Sequence, residues 1–362
     1  MVGDKIWTFT TVIPAVAQGK LLVNVVQPSI WSYVYRTPES KLYSVRSIDA
    51  GLNWGAINAI DESVTVTDFS ADIDNVGNTI VVWTYTSGAS YGAKYSRQSA
   101  EGGSWDIPTD ILAPATLPTT ASPSQYRVSS FEILFGVGYD TTGVASDGAG
   151  GKTLLWTGTM GPITDAGINY GTDGMGAQQV FKDATGTYYT SMDNRSGWNS
   201  MDLYANTTMI VDTGTSNGNQ PWILKRTGGV YLVYTSDVGG ALHLYYKTAT
   251  SIVGLLSASS SLLTPDVIKA PSSIQSRTVY AIEDFTGVVH VVFQDLASNS
   301  IYRVRLGSDG LGPIGMATLV AEANLDGIAV GRNTTTAQPI LIVSAHTDSG
   351  VRSIISIENP NE

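Results

Sequence analysis

The residues of this chain best suited to chemistry are carboxylates and aromatics that recur in one kind of place. Asp193, Asp237, Asp295 and Asp348 each lie just past a short apolar, β-rich run. Acids gathered in this way could hold a cation or sugar hydroxyls, or act as a pair that cleaves a glycosidic bond. The simpler reading is that each caps the tight turn that follows its own strand. Aromatic residues occupy the same class of segment: Trp31, Tyr33 and Tyr35, then Tyr85 and Tyr91, then Trp198 beside Arg195. Sugars have apolar C–H faces and hydroxyl rims, so exposed rings with Asp, Asn or Arg nearby suit a glycan. The alternative is rings wedged between packed sheets, and that role is expected of Trp54, Trp83, Trp105 and Trp156. The candidate ligand-binding set is Trp31, Tyr33, Tyr35, Tyr91, Asp193, Arg195, Trp198, Asp237 and Asp295.

Other chemistries find little support. His243, His290 and His346 are scattered, with His290 alternating inside an apolar strand, and the chain has no cysteine. Zinc–thiolate sites, disulfides and Cys nucleophiles are thereby excluded. No Ser-His-Asp arrangement, phosphate loop or metalloprotease helix is visible, so no catalytic residue is assigned. No metal site or cofactor is expected beyond a structural cation such as calcium. Twenty basic residues against 31 acidic ones leave a net charge of −11, without any run of Lys or Arg able to track a phosphate backbone. Nucleic acid and membrane insertion are not expected. Only 14% of residues are charged, against about 25% in ordinary soluble domains. Ser, Thr, Gly and Asn must therefore wet the surface, a composition suited to secreted or virion-surface proteins. The first residues put charges and threonines where a secretory signal would need an apolar core, so no signal peptide is expected.

The elements that would carry these residues are strands. A Gly-containing turn followed by a short apolar run recurs, as in Leu21-Leu22-Val23-Asn24-Val25-Val26, Thr79-Ile80-Val81-Val82-Trp83, Thr153-Leu154-Leu155-Trp156, Thr187-Tyr188-Tyr189-Thr190, Val230-Tyr231-Leu232-Val233-Tyr234 and Val288-Val289-His290-Val291-Val292-Phe293. A seventh, without the glycine, is Pro339-Ile340-Leu341-Ile342-Val343-Ser344. Such runs indicate strands buried on both faces and read as the inner strands of repeated sheets. A tyrosine-bearing strand follows several of them, around Tyr43, Tyr95, Tyr245 and Tyr302. Segment 252–263 reads as a loop or strand pair, and 111–127 and 264–278 as connections between sheets. The whole predicts an all-β chain, one β-propeller domain over 1–362. Seven four-stranded blades are expected, with six the alternative count, and strands near 6–11 and 351–357 closing one blade.

One motif is more specific. Residues 47–54 read Ser47-Ile48-Asp49-Ala50-Gly51-Leu52-Asn53-Trp54, and a shortened version follows at Ser99-Ala100-Glu101-Gly102-Gly103-Ser104-Trp105. Asp49 and Ser47 can bond turn amides, Gly51 can supply a positive φ, and Trp54 can pin the hairpin. This resembles the Asp-box of bacterial neuraminidase repeats in sialidase-like β-propellers, a superfamily of glycosidases, lectins and non-catalytic scaffolds. The resemblance implies that Ser47, Asp49, Gly51, Trp54, Ser99 and Trp105 are structural and lie away from any active site. A sialidase of that family would need three arginines, a Tyr–Glu pair and an aspartate. The family's early Arg-Ile-Pro motif has no counterpart here, the nearest string being Arg36-Thr37-Pro38. The expectation is a non-catalytic propeller on an exterior surface, a lectin-like or phage structural component whose partners are a glycan, a surface receptor or neighbouring assembly proteins. A sialidase-like glycoside hydrolase is the alternative.

Overall fold

The computed structural model describes residues 5–8, 16–115, 123–129, 132–140, 149–156, 164–170, 179–182, 188–194, 200–205, 208–212, 218–270, 278–307, 313–320, 323–332, 338–346 and 353–358, with side chains chiefly in 16–111, 220–270, 278–307, 323–330 and 338–346. Its strands form seven four-stranded antiparallel sheets, and in six of them the strands follow in chain order. The seventh takes three strands from the end of the chain and its fourth, Lys5–Thr8, from the beginning. Lys5–Thr8 pairs antiparallel with Ser353–Glu358, the closure expected from the two terminal segments. The first strand of each sheet touches the first strand of the next all the way around, and Gln18–Val23 of the first sheet meets Asn324–Arg332 of the last. The arrangement is a β-propeller, a ring that leaves no long exposed edge.

Chain order within a blade fixes what lies at each end. Turns between first and second strands and between third and fourth strands lie at one end of the ring, here called the lower end. Turns between second and third strands, and the passages from one blade to the next, lie at the upper end.

The apolar runs read as innermost strands are mostly not innermost. Thr79–Ser87, Tyr188–Asn194, Gly229–Val238, Val289–Gln294 and Pro339–His346 are second strands, and Ala149–Trp156 is a third. Only Leu21–Val23 falls on a first strand. The physical reason is geometric. A second strand is covered by neighbouring blades on both faces and by partner strands on both edges, so it is apolar throughout. The first strands border the channel and keep polar residues such as Gln18, Asp68 and Asp72.

The tyrosine-bearing strands are third strands, and their role is visible in the register. Tyr35 is paired with Tyr43, Tyr234 with Tyr245, and Phe293 with Tyr302. Each pair stacks, with ring centroids 5.8, 5.9 and 5.8 Å apart. Such cross-strand pairs add roughly 0.5–1.5 kcal/mol each beyond area burial. The recurring aromatics are therefore a stitch within the blade. Segment 252–263 contains a short 3-10 turn, Val253–Leu256, whose Leu255 enters the core, followed by the strand Ser261–Thr264. The segment 111–127, expected to be a connection, contributes the ends of two strands, Thr109–Ala115 and Pro123–Ser129.

Candidate functional site

The lower end of blades 1 and 2 is a set of turns whose polar groups serve each other. Ser47 Oγ accepts from the Gly51 amide at 2.9 Å and donates to Asp49 Oδ1 at 2.7 Å. Asp49 in turn accepts from the Asn53 amide and side chain at 2.8 and 2.7 Å. These bonds hold the Asp49 carboxyl below its ordinary range, Asn53 contributing most. Gly51 has φ +81°, and a Cβ there would lie 2.8 Å from the Trp31 ring. Trp54 meets Trp31 edge-on at 6.5 Å. The second turn lacks the aspartate, yet Gly102 keeps φ +82° and Trp105 donates from Nε1 to Ser44 Oγ of blade 1 at 2.7 Å. Arg46, nearly buried, ties the two blades together by donating to the carbonyls of Gly77 at 2.9 Å and Ala100 at 2.6 Å. Burial pulls its pKa down, and Asp74 opposes that.

A second lower-end device escaped the sequence reading, which singled out the glycine of each turn and overlooked the aspartate three residues earlier. Asp74 Oδ1 accepts from the amides of Val76, Gly77 and Asn78, and its Oδ2 from the Asn78 side chain. Asp284 Oδ1 likewise serves Thr286 and Val288, while its Oδ2 lies 2.9 Å from His290 Nε2. His290 is thus a buried histidine held through Nε2 by this turn, in the structural role that its apolar strand suggested. The matching Asp183 and Gly186 lie outside the described residues.

Three aromatics expected to be exposed are core residues. Trp31, Tyr33 and Tyr35 are buried on the second strand of blade 1, packed with Ala329, Ile340 and Ile342 of blade 7. Alternate side chains of that strand point into the gap between the blades, and this overrides the impression of a loop. Trp31 also belongs to the lower end, where its Nε1 donates to Pro28 O at 2.8 Å. Trp83, Trp105 and Trp156 are buried as expected.

The remaining candidates lie at the upper end or outside the described residues. Tyr91 is half-buried at the start of a third strand. Asp237 and Asp295 both occupy second-to-third turns, and both cap them. Asp237 Oδ1 accepts from the Gly240 amide at 2.7 Å, and Asp295 Oδ2 from the Ser298 amide and hydroxyl at 2.7 Å each. Asp193 lies at the upper end of its strand, Tyr188–Asn194. Arg195, Trp198 and Asp348 lie outside the described residues.

What the upper end does bring together was not singled out from the sequence. Across blades 6, 7, 1 and 2 runs a seam of polar side chains. Lys269 Nζ donates to Asn299 Oδ1 at 2.6 Å and Asn324 Oδ1 at 3.1 Å, and Gln294 Nε2 donates to Asn299 Oδ1 at 2.7 Å. Next in the ring, His346 Nδ1 lies 2.7 Å from Asp326 Oδ1. Asp326 sits at a bulge, where the pairing of its strand shifts between Leu325 and Gly327. Burial pushes its pKa up to about 6, against the opposing effects of His346 and Arg36. Beyond it, Gln18 Nε2 donates to Asp68 Oδ1 at 2.8 Å. The bulge is the one signal that could have marked Asp326, since an Asp-Gly pair interrupts an otherwise apolar strand. Among the described residues no three His, Asp or Glu side chains group so as to hold a metal ion. No helix there is long and apolar enough to cross a membrane.

No protein-family model matches the chain, and no curated protein sequence does. Solved structures match along nearly its whole length. BP39L lectin from Burkholderia pseudomallei aligns with TM-score 0.62 and 12% identity, over 94% of this chain and 95% of its own. An α-L-arabinanase from Penicillium chrysogenum, solved with arabinobiose, aligns with TM-score 0.52 and 12% identity, over 98% and 99%. BBS1N, solved in complex with ARL6DN, gives 0.56 and 13%, over 98% and 96%. At these identities the likeness defines the fold, a β-propeller of four-stranded blades. The neighbours that share it include both lectins and glycoside hydrolases.

Proposed function

We propose that the chain is a non-catalytic, glycan-binding propeller that recognises its ligand at the upper end, on an exterior surface such as a secreted protein or a virion. The observation that carries this reading is the upper-end polar seam. Carboxylate, amide, imidazole and ammonium groups from four blades are held there by one another on strand ends and the loops between them. A pre-organised set of donors and acceptors is what hydroxyl-rich ligands require. The lectin among the structural neighbours supports the same reading. The turn at 47–54 is taken as an Asp-box, with Ser47, Asp49, Gly51 and Trp54 as a hairpin staple that has no part in binding. Tyr91, Asp193, Asp237 and Asp295 border the same end and form the wider candidate surface.

Binding to a glycan array is the direct test, and silence across a broad array sinks the lectin reading. A protein partner would then take its place, in line with the neighbour solved in complex with ARL6DN. A glycoside hydrolase is the second reading, favoured by the raised pKa of Asp326, a range that suits a general acid. Turnover of any chromogenic glycoside, lost in Asp326→Asn, would establish it over the binding role.

A further inference from the structure

Asp326 differs from the lower-end turn carboxylates Asp49, Asp74 and Asp284, whose two oxygens are both used. Its side chain is more than nine-tenths buried, with a relative exposure of 3%. One oxygen is used by His346, while Oδ2 is buried without a hydrogen-bond partner. Asp74, by contrast, fills both oxygens. A buried carboxylate oxygen left without a donor costs free energy, and natural proteins rarely tolerate one that nothing completes. The adjacent blade offers the complementary group. Arg36 ends the second strand of blade 1 at the same upper end, its charge acts on Asp326, and its Nε is likewise buried without an acceptor. His346 is the way in from solvent, its side chain being 20% exposed.

We propose that Asp326, His346 and Arg36 form a subsite for a neutral polyhydroxylated ring seated between blades 7 and 1. One hydroxyl donates to Asp326 Oδ2 and another accepts from Arg36 Nε, while His346 holds Asp326 through its other oxygen. This inference rests on the glycan-binding reading. The ligand is neutral because an anion would meet the Asp326 carboxylate and a chain carrying −11 overall. A metal ion is disfavoured because the described residues supply no third ligand. A hydroxyl fits because it donates and accepts at once, which is the pairing the two unfilled groups require. Placing the carboxylate on a bulge re-aims one side chain without disturbing the apolar alternation below it.

The test titrates the full chain at millimolar concentration with methyl glycosides of mannose, galactose, fucose and xylose. It follows ligand saturation transfer and the Arg36 Nε–H resonance. At least one glycoside is expected to bind and shift that resonance. In Asp326→Asn its affinity falls about tenfold or more, the loss of a charge-assisted bond, without a lower Tm. Glu101→Gln, exposed in the lower-end turn of blade 2, binds as the wild type does. A bound glycoside that leaves Arg36 unmoved, or equal affinity in Asp326→Asn, overturns the subsite and leaves the glycan reading standing. So does a positive array with none of the four glycosides bound. A silent array brings down the broader reading, and the subsite with it.

Discussion

Two carboxylate-bearing regions at opposite ends of the propeller treat their carboxylate oxygens in opposite ways. At the lower end of blades 1 and 2, Asp49 and Asp74 use both carboxylate oxygens, and Arg46 spreads its donors over carbonyls of the next blade. At the upper end between blades 7 and 1, Asp326 leaves one oxygen unfilled and has its pKa driven up to about 6. Both regions are built from the same antiparallel strands, so the fold does not impose the difference. The carboxylates of the turns at Asp49 and Asp74 are completed internally, whereas the Asp326 carboxylate, kept incomplete at an energetic cost, points to a ligand.

The largest expected effect tests the completed end. Arg46→Ala removes the donor from the carbonyls of Gly77 and Ala100 and should cost about 3 kcal/mol, read as a lower urea midpoint. Arg46→Lys keeps one charged donor but loses the separate Nη1 bond to the Ser99 carbonyl, and should recover only part of the loss. A cost near zero would mean that the lower end is not the cohesive one.

Asp326→Asn tests the incomplete end, and its sign is opposite. The folded pKa is raised from 3.8 to about 6, so the folded state keeps a proton that the unfolded chain has already lost. Stability from this group is greatest below the ordinary value and declines as pH rises through that window. At neutral pH the ionised form is penalised by roughly 3 kcal/mol at most, less whatever the charge contributes to the His346 bond. The variant should therefore melt higher than the wild type at pH 7, with the difference shrinking toward pH 4. A lower Tm at pH 7 would make Asp326 another structural anchor and erase the contrast between the ends.

This contrast also explains what could be read without coordinates. The box at 47–54 was legible because its chemistry is local: Ser47, Asp49, Gly51 and Asn53 bond within one turn. The blades were legible for a related reason, since apolar runs and the tyrosines opposite them repeat. Which strand each run formed was not, because burial on both faces marks the second strand rather than the innermost one. The upper seam was invisible because its members are far apart in the chain. Gln18 and Asp68 are separated by 50 residues, and Arg36 and Asp326 lie in the first and last blades. Trp31, Tyr33 and Tyr35 misled for the converse reason: their local sequence resembles a loop, and only the neighbouring blade buries them.

Two glycines sharpen the comparison within the lower end. Gly51→Ala combines a positive φ with a Cβ 2.8 Å from Trp31, while Gly102→Ala has the same φ but 3.7 Å to Arg46. The φ penalty alone should cost about 1 kcal/mol at either site. The ring clash should raise the Gly51 loss to about 2 kcal/mol, unless Trp31 gives way. Equal losses in thermal unfolding would show that the box tolerates movement of Trp31, and would weaken the view of this turn as a rigid staple.

The smallest effect is expected at Asp49, whose carboxyl is held below its ordinary pKa chiefly by Asn53. A lowered folded pKa reverses the Asp326 case. Its stabilisation is present above the unfolded value and is lost as pH falls through the folded one. Asp49→Asn should thus change little at pH 7, where Asn can still accept from the Asn53 amide, and should flatten the acid limb of the stability curve. Wild type and variant melted in parallel from pH 7 to pH 2 give the answer. If both lose stability equally, the acid limb belongs to other carboxylates, and the box turn is held by Ser47 and Gly51 without help from the Asp49 charge.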